Sequence, residues 1–324
     1  MGSTASALAQ ATIDGLAETV PTDETTSGLV LRGKATWPTS DRDYLNRSTA
    51  VLPAVASLGF WHFPDVDFER PDRVGGGRFG VSEFVAESPL YITRLGDTAV
   101  LALRFNYELT LMDSGVPGLG DGLELHRLEL PTTVSWQPAG SQWRFFTRAS
   151  VFAKTDFDAS WSEAVGYSAL VGGFRRVTDS LSLGVGAYYD YSFGEHRFIP
   201  GPGFVWAPND FFSAGLIGPW LQTNWRINEN WRLRLEGRWR SQDWVVGNSS
   251  IGGDNTQVEL RNVRTVAALE RKIFEPFGTE AWLSLQVGYR FLTRLEVRDS
   301  ERRDLFREDL DNGLFFGAAI RVNL

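Results

Sequence analysis

The sequence predicts an all-β chain folded into an antiparallel barrel that spans a membrane, and three observations lead to this prediction. The segment NWRLRLEGRWRSQDW, 230–244, alternates apolar and charged residues. A period of two is that of a β-strand. The same alternation recurs along the chain, and short turns alternate with longer polar loops. Together these features are typical of a barrel with lipid outside and a polar interior.

The segment 230–244 separates two kinds of side chain. One face carries Trp231, Leu233, Leu235, Gly237 and Trp239, and the other carries Arg232, Arg234, Glu236, Arg238 and Arg240. Four arginines on one face are too many for an apolar protein core. The opposite face is too aromatic to be left in water. The strand is therefore expected to lie between an apolar medium and a polar one.

Composition narrows the possible classes of protein. The chain has 324 residues, with 33 Gly, 12 Trp, 8 Tyr and 22 Phe, and its mean hydropathy is −0.19. No apolar run approaches the ~20 residues of a membrane helix, so a helical membrane protein is excluded. The lack of cysteine removes disulfides and thiolate metal sites. A net charge of −8 argues against nucleic acid as a partner.

The first fifty residues differ from the rest. Ala7, Leu8 and Ala9 form the small-x-small pattern that signal peptidase cuts after, so residues 1–9 are interpreted as a signal remnant, a cloning scar or a disordered terminus. The Thr-, Ser- and acid-rich stretch up to about residue 50 predicts a flexible periplasmic arm. The single barrel domain is predicted over 51–324.

The alternation predicts about fourteen strands. They are centred on 54–63, 81–93, 97–111, 123–136, 142–154, 164–176, 179–193, 197–207, 210–217, 220–226, 230–243, 257–273, 281–296 and 312–324. The count becomes twelve if 210–226 is one strand and 54–63 is none. Four prolines between 196 and 226 each remove a ladder donor, so strands there are expected to be short, bent or edge-like.

The connections predict the two ends of the barrel. Short turns are expected at 94–98, 137–142, 177–180, 207–210, 227–230 and 275–280, and long polar loops at 64–78, 112–122, 155–163, 243–256 and 297–311. In outer-membrane barrels periplasmic turns are short and outer loops are long. The pattern therefore predicts an even number of strands, a place in the Gram-negative outer membrane and contact with its lipid.

Strand parity predicts the residues of the interior. The expected lumen-lining residues are Arg104, Glu108, Arg127, Arg148, Asp190, Arg232, Arg234, Glu236, Arg238, Arg240, Arg264, Glu270 and Arg290, together with Glu129, Arg144 and Arg321. Eleven of these are cations and five are carboxylates. Two interpretations stay open. The charges either pair into ladders that close the barrel, or they line an opening selective for small polar or anionic solutes.

Parity also predicts aromatic residues at the membrane interface. Trp136, Trp143 and Trp231 lie beside short turns with lipid-facing parity, so they are expected at the periplasmic interface. Trp282 has the other parity and is expected inside.

The last strand places Leu314, Phe316, Ala318, Ile320, Val322 and Leu324 on one face. This apolar face of the last strand resembles the signal that delivers outer-membrane barrels to their assembly machinery, although Leu324 departs from the usual terminal Phe or Trp.

The stretch GPGFVWAPNDFFSAGLIGPWLQTNWRINENWRLRLEGRW, 201–239, resembles a family of bacterial outer-membrane barrels known as a domain of unknown function. The resemblance rests on Pro202 with Gly203, the turn at 206–210 and the Asn-containing turn at 227–230. It covers about 40 of the 324 residues. The resemblance implies a place in the cell envelope and carries over no catalytic residue and no substrate.

The sequence gives little sign of catalysis or metal binding. Only three histidines are present, and no serine lies in a motif context, so no catalytic residue is predicted. The acidic residues Asp65, Asp67, Glu69 and Asp72 lack the spacing of a calcium loop and are interpreted as a solvated face. No cofactor and no metal site are predicted. Three hypotheses stay open: a porin-like channel or transporter, a closed structural barrel with binding loops, and a soluble all-β protein.

The two faces can be tested by placing a charge on each. Replacing Leu103 or Leu183 with Arg should cost about 2–4 kcal/mol because it puts a cation at mid-membrane, whereas Ser182→Arg on the interior face should be tolerated far better. Unfolding of each variant in lipid vesicles measures the difference. Equal damage at Leu183 and Ser182 would refute the assignment of faces.

Overall fold

In the computed structural model the chain forms a closed antiparallel β-barrel, as the alternation predicts. The structure describes residues 55–69, 77–96, 98–116, 119, 122–247, 253, 255–275 and 280–323, which belong to one compact unit, 36–324. The predicted N-terminal arm and signal remnant, 1–50, lie outside the described residues. So do Asp72 and the terminal Leu324.

The strands have the following bounds. They are β1 (Val55–Asp67), β2 (Arg78–Leu95), β3 (Ala99–Ser114), β4 (Leu123–Trp136), β5 (Trp143–Thr155), β6 (Val165–Arg176), β7 (Leu181–Ser192), β8 (Glu195–Trp206), β9 (Phe212–Ile217), β10 (Trp220–Arg226), β11 (Trp231–Val246), β12 (Thr256–Phe274), β13 (Glu280–Arg298), β14 (Asp304–Leu310) and β15 (Gly313–Asn323). A single helical turn, α1 (Trp161–Ala164), lies between β5 and β6. Among the described residues, no helix is long and apolar enough to cross a membrane.

The last barrel strand is split in two. Neighbours from β1 to β13 pair in chain order, and β15 pairs with both β1 and β13 to close the barrel. The short strand β14 pairs with Thr293–Arg298, at the other end of β13 from β15. Strands β14 and β15 therefore form two halves of one strand position. The barrel therefore has fourteen strand positions, which confirms the count of fourteen against twelve. The predicted loop at 297–311 is wrong, because β14 occupies seven of its fifteen residues.

The split follows from a bulge in β13. Leu292 has a positive φ of 51°, and its N–H donates to Asn312 Oδ1 at 3.2 Å, in the break between β14 and β15. The register between β12 and β13 shifts by one residue at this point. One extra residue reverses strand parity. Even-numbered residues of β13 therefore face inward before the bulge, and odd-numbered residues such as Leu295 and Val297 face inward after it.

The outer part of β11 turns into the barrel. Ser241, Asp243 and Val245 share the parity of the outward Trp239, yet Asp243 and Val245 are buried. Val245 forms a bridge with Thr155 of β5, which is not a neighbour of β11 in the barrel. The Asp156 N–H donates to Val245 O at 3.3 Å. The predicted start of a loop at 243 is therefore wrong, because β11 continues to Val246 with both faces covered.

An apolar cluster fills one side of the interior at the end of the barrel that carries the long loops. It is built from strands β1–β4 and β11–β15, and its buried members include Phe63, Phe68, Phe79, Met112, Leu125, Trp244, Val258, Leu260, Leu295 and Phe315. The rings of Phe63 and Phe315 lie 4.5 Å apart. This end of the barrel is called the long-loop end below, and the opposite end the short-turn end.

The outward face is apolar, as a lipid contact requires. Leu58, Leu130, Val151, Leu183, Phe198, Leu285 and Ile320 are among its exposed residues. Trp136 and Trp143 are exposed beside the short turn that joins β4 to β5, and Trp231 is half-exposed at the start of β11. Trp282 is buried inside, where the Arg232 guanidinium lies 3.9 Å from its ring. These features are those of an outer-membrane barrel.

Two neighbouring phenylalanines test the assignment of core and surface. Phe315 is 1 % exposed and Phe316 is 52 % exposed. Phe315→Ala should destabilise the barrel by about 3–5 kcal/mol through the cavity it leaves. Phe316→Ala should cost much less, because lipid chains replace the lost contacts. Denaturant unfolding in lipid vesicles compares the two, and similar losses would contradict the observed parity of β15.

Candidate functional site

The structure places the predicted interior residues on the inward face of the barrel. The buried ones are Arg104, Glu108, Glu129, Asp190, Arg234, Arg264, Glu270 and Arg290, and the half-buried ones are Arg127, Arg144, Arg148, Arg232, Glu236, Arg238, Arg240 and Arg321. Whether they act on a solute depends on what each contacts. Three groups of contacts account for many of them, and a cavity accounts for Arg127.

The first group is a charge network at mid-barrel centred on Glu83. Arg264 donates from both terminal nitrogens to the Glu83 carboxylate at 2.8 Å, and Arg240 donates to it at 3.2 Å. Arg240 and Gln242 also bind Glu108. Sequence reasoning missed Glu83, because Val85 shares its parity and blurs the alternation of β2. A carboxylate held by two arginines neutralises part of the predicted cationic row.

The second group lies towards the short-turn end. Arg234 binds Glu236, and its Nε lies 3.0 Å from Glu270. Arg321 donates to the same Glu270 at 3.2 Å. Arg232 stacks over Trp282. The row of arginines on β11 is thus largely a set of ion pairs and ring contacts, and it resembles the ladder interpretation more than an open charged lining.

The third group fastens the inward part of β11 to the opposite wall. Lys154 of β5 binds Asp243, and Ser192 of β7 donates to the other Asp243 oxygen at 2.9 Å. The Ser192 hydroxyl oxygen also lies 3.2 Å from an Asp190 carboxylate oxygen. Lys154 and Asp243 were not predicted as interior residues. Strand parity could not identify Asp243 as an interior residue, because it shares the lipid-facing parity of β11 and becomes buried only where the strand turns inward.

A cavity of about 500 Å³ lies between the inward β11 and the inner faces of β5–β8. Its space comes from glycines, because the inward positions on β7 and β8 form two facing pairs, Gly184 with Gly203 and Gly186 with Gly201. Gly186, Gly201 and Gly203 line the cavity, so larger side chains at these three positions would take up its space. The alternation of β7 shows Gly184 and Gly186 in the sequence, but it does not show which glycines they face.

The cavity is polar at one end and apolar at the other. Arg127, Lys154, Asp190, Arg197, Asp243 and Arg261 line it towards the long-loop end, whereas Phe146, Phe174, Gly203 and Ile217 line it towards the short-turn end. A smaller space of about 200 Å³ continues around Arg148, Glu129 and Ser168. Both spaces share Arg127, Leu170 and Tyr188. A volume of 500 Å³ is that of a small-molecule site.

No protein-family model and no curated protein matches the sequence, so the resemblance noted above remains a prediction. Solved structures similar to the chain include an outer membrane channel from Pseudomonas putida F1, with 9 % identity, a TM-score of 0.44 and coverage of 84 % of this chain and 96 % of that one. A Pseudomonas aeruginosa FadL homologue has 9 % identity, a TM-score of 0.42 and coverage of 83 % and 90 %. Outer membrane phospholipase A from Escherichia coli has 10 % identity, a TM-score of 0.37 and coverage of 86 % and 96 %.

The three histidines are on the outer surface. His126 bonds the Tyr107 hydroxyl at 2.9 Å, His196 bonds the Tyr189 hydroxyl at 2.7 Å, and His62 bonds Ser82 at 3.0 Å. Within the described ranges no group of three His, Cys, Asp or Glu residues could hold a metal ion. The described interior therefore offers a ligand charged side chains, namely arginine, lysine and carboxylates, and the shape of the cavity walls.

The mid-barrel network predicts a large cost for removing one charge. Glu83→Gln should destabilise the barrel by about 3–5 kcal/mol, because it leaves Arg264 buried without its carboxylate. Asp309→Asn removes the partner of Arg294 in a half-exposed pair and should cost about 0–1 kcal/mol. Unfolding midpoints in lipid vesicles compare the two. A neutral Glu83→Gln would show that the network does not stabilise the fold.

Proposed function

We propose that this outer-membrane barrel is a channel-like transporter, and that a small polar or anionic solute occupies the glycine-walled cavity rather than the arginine row of β11. The observation that carries the proposal is a cavity of about 500 Å³ beside a strand that has turned into the barrel. Much of the rest of the described interior is occupied by ion pairs and by the apolar cluster. The cavity is therefore the space within the described barrel that we assign to the solute.

The charges of the cavity favour an anion. Its lining has four cations, Arg127, Lys154, Arg197 and Arg261, and two carboxylates, Asp190 and Asp243. The Arg127 side chain keeps 30 % of its accessible surface although it points inward, so it faces the cavity. A confined site with an excess of one sign attracts the opposite charge more strongly than open surface does. This supports an anionic group on the solute although the whole protein is acidic.

A closed structural barrel is the second candidate. It is favoured by the burial of Glu83, Arg264 and Glu270, which leaves no wide aqueous path through the described interior. In that case the outer loops would bind a partner and the cavity would be a packing defect. Both candidates are non-enzymatic. Both candidates are also compatible with contact to outer-membrane lipid. Both are compatible with the proposals that β15 is recognised by the assembly machinery and that the chain belongs to the family of uncharacterised barrels.

Permeation separates the two candidates. Purified protein in a planar bilayer under a salt gradient should show a small conductance with a reversal potential of the anion-selective sign. Leu170→Trp should reduce it, because Leu170 lines the cavity. Val171→Trp is the matched control, because Val171 lies next in the chain and faces lipid. Cation selectivity, or equal effects of the two substitutions, would refute the proposed path, and no conductance would favour the structural barrel.

A further inference from the structure

The barrel wall has an opening between β8 and β11. Strand β8 pairs with β9 only at Gly203–Trp206, so Glu195–Pro202 have no partner on that side. Strand β10 pairs with β11 only up to Arg238, and the part of β11 beyond Trp239 turns inward. All residues from 122 to 247 are described, so no hidden segment of this stretch fills the space. The short hairpin of β9 and β10 leaves a window in the wall above its turn.

The window has borders on all four sides. Below it lies the turn at Gly218 and Pro219, where the Trp239 N–H donates to Pro219 O at 3.2 Å. Above it, Arg197 of β8 lies 3.5 Å from Glu259 of β12, and Arg298 of β13 lies 3.4 Å from Glu195. At its base β8 and β11 are separated by two strands, which corresponds to about 14 Å at a spacing of ~4.8 Å per strand.

The window connects the cavity with the lipid-facing surface. The cavity is lined by inward residues such as Leu170 and Tyr188 and also by Trp239, which borders the window on β11 and is 53 % exposed on the outward face. The cavity therefore reaches the β11 border of the opening. The lipid-facing residues beside the opening are apolar. The hydrocarbon region of the membrane is therefore the medium that meets this side of the cavity.

The free edge of β8 exposes few backbone N–H groups to lipid. An unpaired strand edge in a membrane leaves N–H and C=O groups unsatisfied, at a cost of several kcal/mol for each. Pro200 and Pro202 lie in the free part of β8 and have no N–H. Strand β8 still pairs with β7 through both residues. Proline is tolerated where the missing donor faces no partner strand, so these two residues suit an edge that stays open.

We propose that the window is a lateral path between the cavity and the membrane, and that its ligand is an amphipathic monocarboxylate with a single aliphatic tail. This proposal rests on the proposed function of the cavity as a solute site. The carboxylate would lie near Arg127, Arg197 and Arg261 at the polar end. The tail would lie against Phe146, Phe174 and Ile217 and reach the window between Ile199 and Trp239. A fully hydrophilic anion would leave these apolar walls without a partner.

The window itself can be tested by spin labelling, because the chain has no cysteine. Ile199→Cys places a nitroxide on the inward face of β8 at the window. In lipid vesicles its collisions with oxygen should exceed those with a water-soluble nickel chelate, as for Phe198→Cys on the lipid face. Ser182→Cys, inward on β7 near the short-turn end, should not show this lipid signature. If the label at 199 behaves like the label at 182, the window is closed to lipid and the proposal is wrong.

The ligand can be tested with decanoate. Wild-type protein in lipid nanodiscs should bind radiolabelled decanoate in equilibrium dialysis above the level of nanodiscs without protein. Decanol and decyltrimethylammonium should compete poorly, because they lack the carboxylate. Arg127→Gln should weaken decanoate binding about tenfold, because it removes one charge-assisted contact. Arg321→Gln removes an inward arginine outside the cavity and should leave binding unchanged. Equal competition by the three amphiphiles would contradict the assignment of a carboxylate.

A substitution in the window tests the path separately from the site. A Cβ at Gly201 would lie 3.4 Å from the Gly218 Cα and meet nothing else within 4 Å, so Gly201→Phe should fit and fill the opening. Gly237→Phe is the matched control, because a Cβ there meets nothing within 4 Å and Gly237 does not line the cavity. Gly201→Phe should slow decanoate binding at least about tenfold, and Gly237→Phe should not. Equal binding rates in both variants would refute the lateral path.

These outcomes distinguish the two proposals. If the wild-type protein neither conducts anions nor binds decanoate, the cavity is not a solute site and the proposed function is wrong. If it conducts small anions while Gly201→Phe leaves decanoate binding unchanged, only the lateral path is wrong.

Discussion

The inward turn of β11 is the constraint on which the rest of the interior depends. Its outer half crosses the barrel, joined to β5 by Val245 and Thr155 and by the pair of Lys154 with Asp243. One face of this segment supports the apolar cluster through Trp244, and the other borders the cavity. Without the crossing, the space filled by the apolar cluster and the cavity would join into one wide lumen. The ion pair of Lys154 with Asp243 is buried, so loss of either partner would leave an unpaired charge inside the barrel.

The charges of the interior show how a barrel rich in arginine can be nearly closed. Buried cations are costly unless carboxylates lie within hydrogen-bond distance, and Glu83, Glu108 and Glu270 serve this purpose. The excess of cations suggested by strand parity is therefore reduced where packing is tightest. Part of it remains at Arg127 and its neighbours on the cavity wall, where the glycines of β7 and β8 leave space. Ion pairing and open space, which the sequence presents as alternatives, therefore occur in different parts of the same interior.

Strand parity predicts this fold well wherever one face meets lipid and the other meets the interior. It therefore locates the strands, the inward arginines and the outward tryptophans. Parity fails where both faces of a strand are buried, as at Asp243, since alternation then carries no information about direction. It also fails beyond Leu292, where one extra residue reverses the faces of β13. The cavity depends on contacts between strands distant in sequence, so no local pattern could have shown that Asp243 of β11 meets Lys154 of β5.

The hairpin of β9 and β10 gives the fold a simple means of variation. These strands have six and seven residues, whereas β11 has sixteen. Each residue added to both arms would raise the turn by about 3.4 Å along the wall. Insertions at a hairpin tip disturb little else, because the tip belongs to no core. A chain of this architecture could therefore change the size of its aperture by a small insertion or deletion at Gly218 and Pro219, with the charges of the cavity left unchanged.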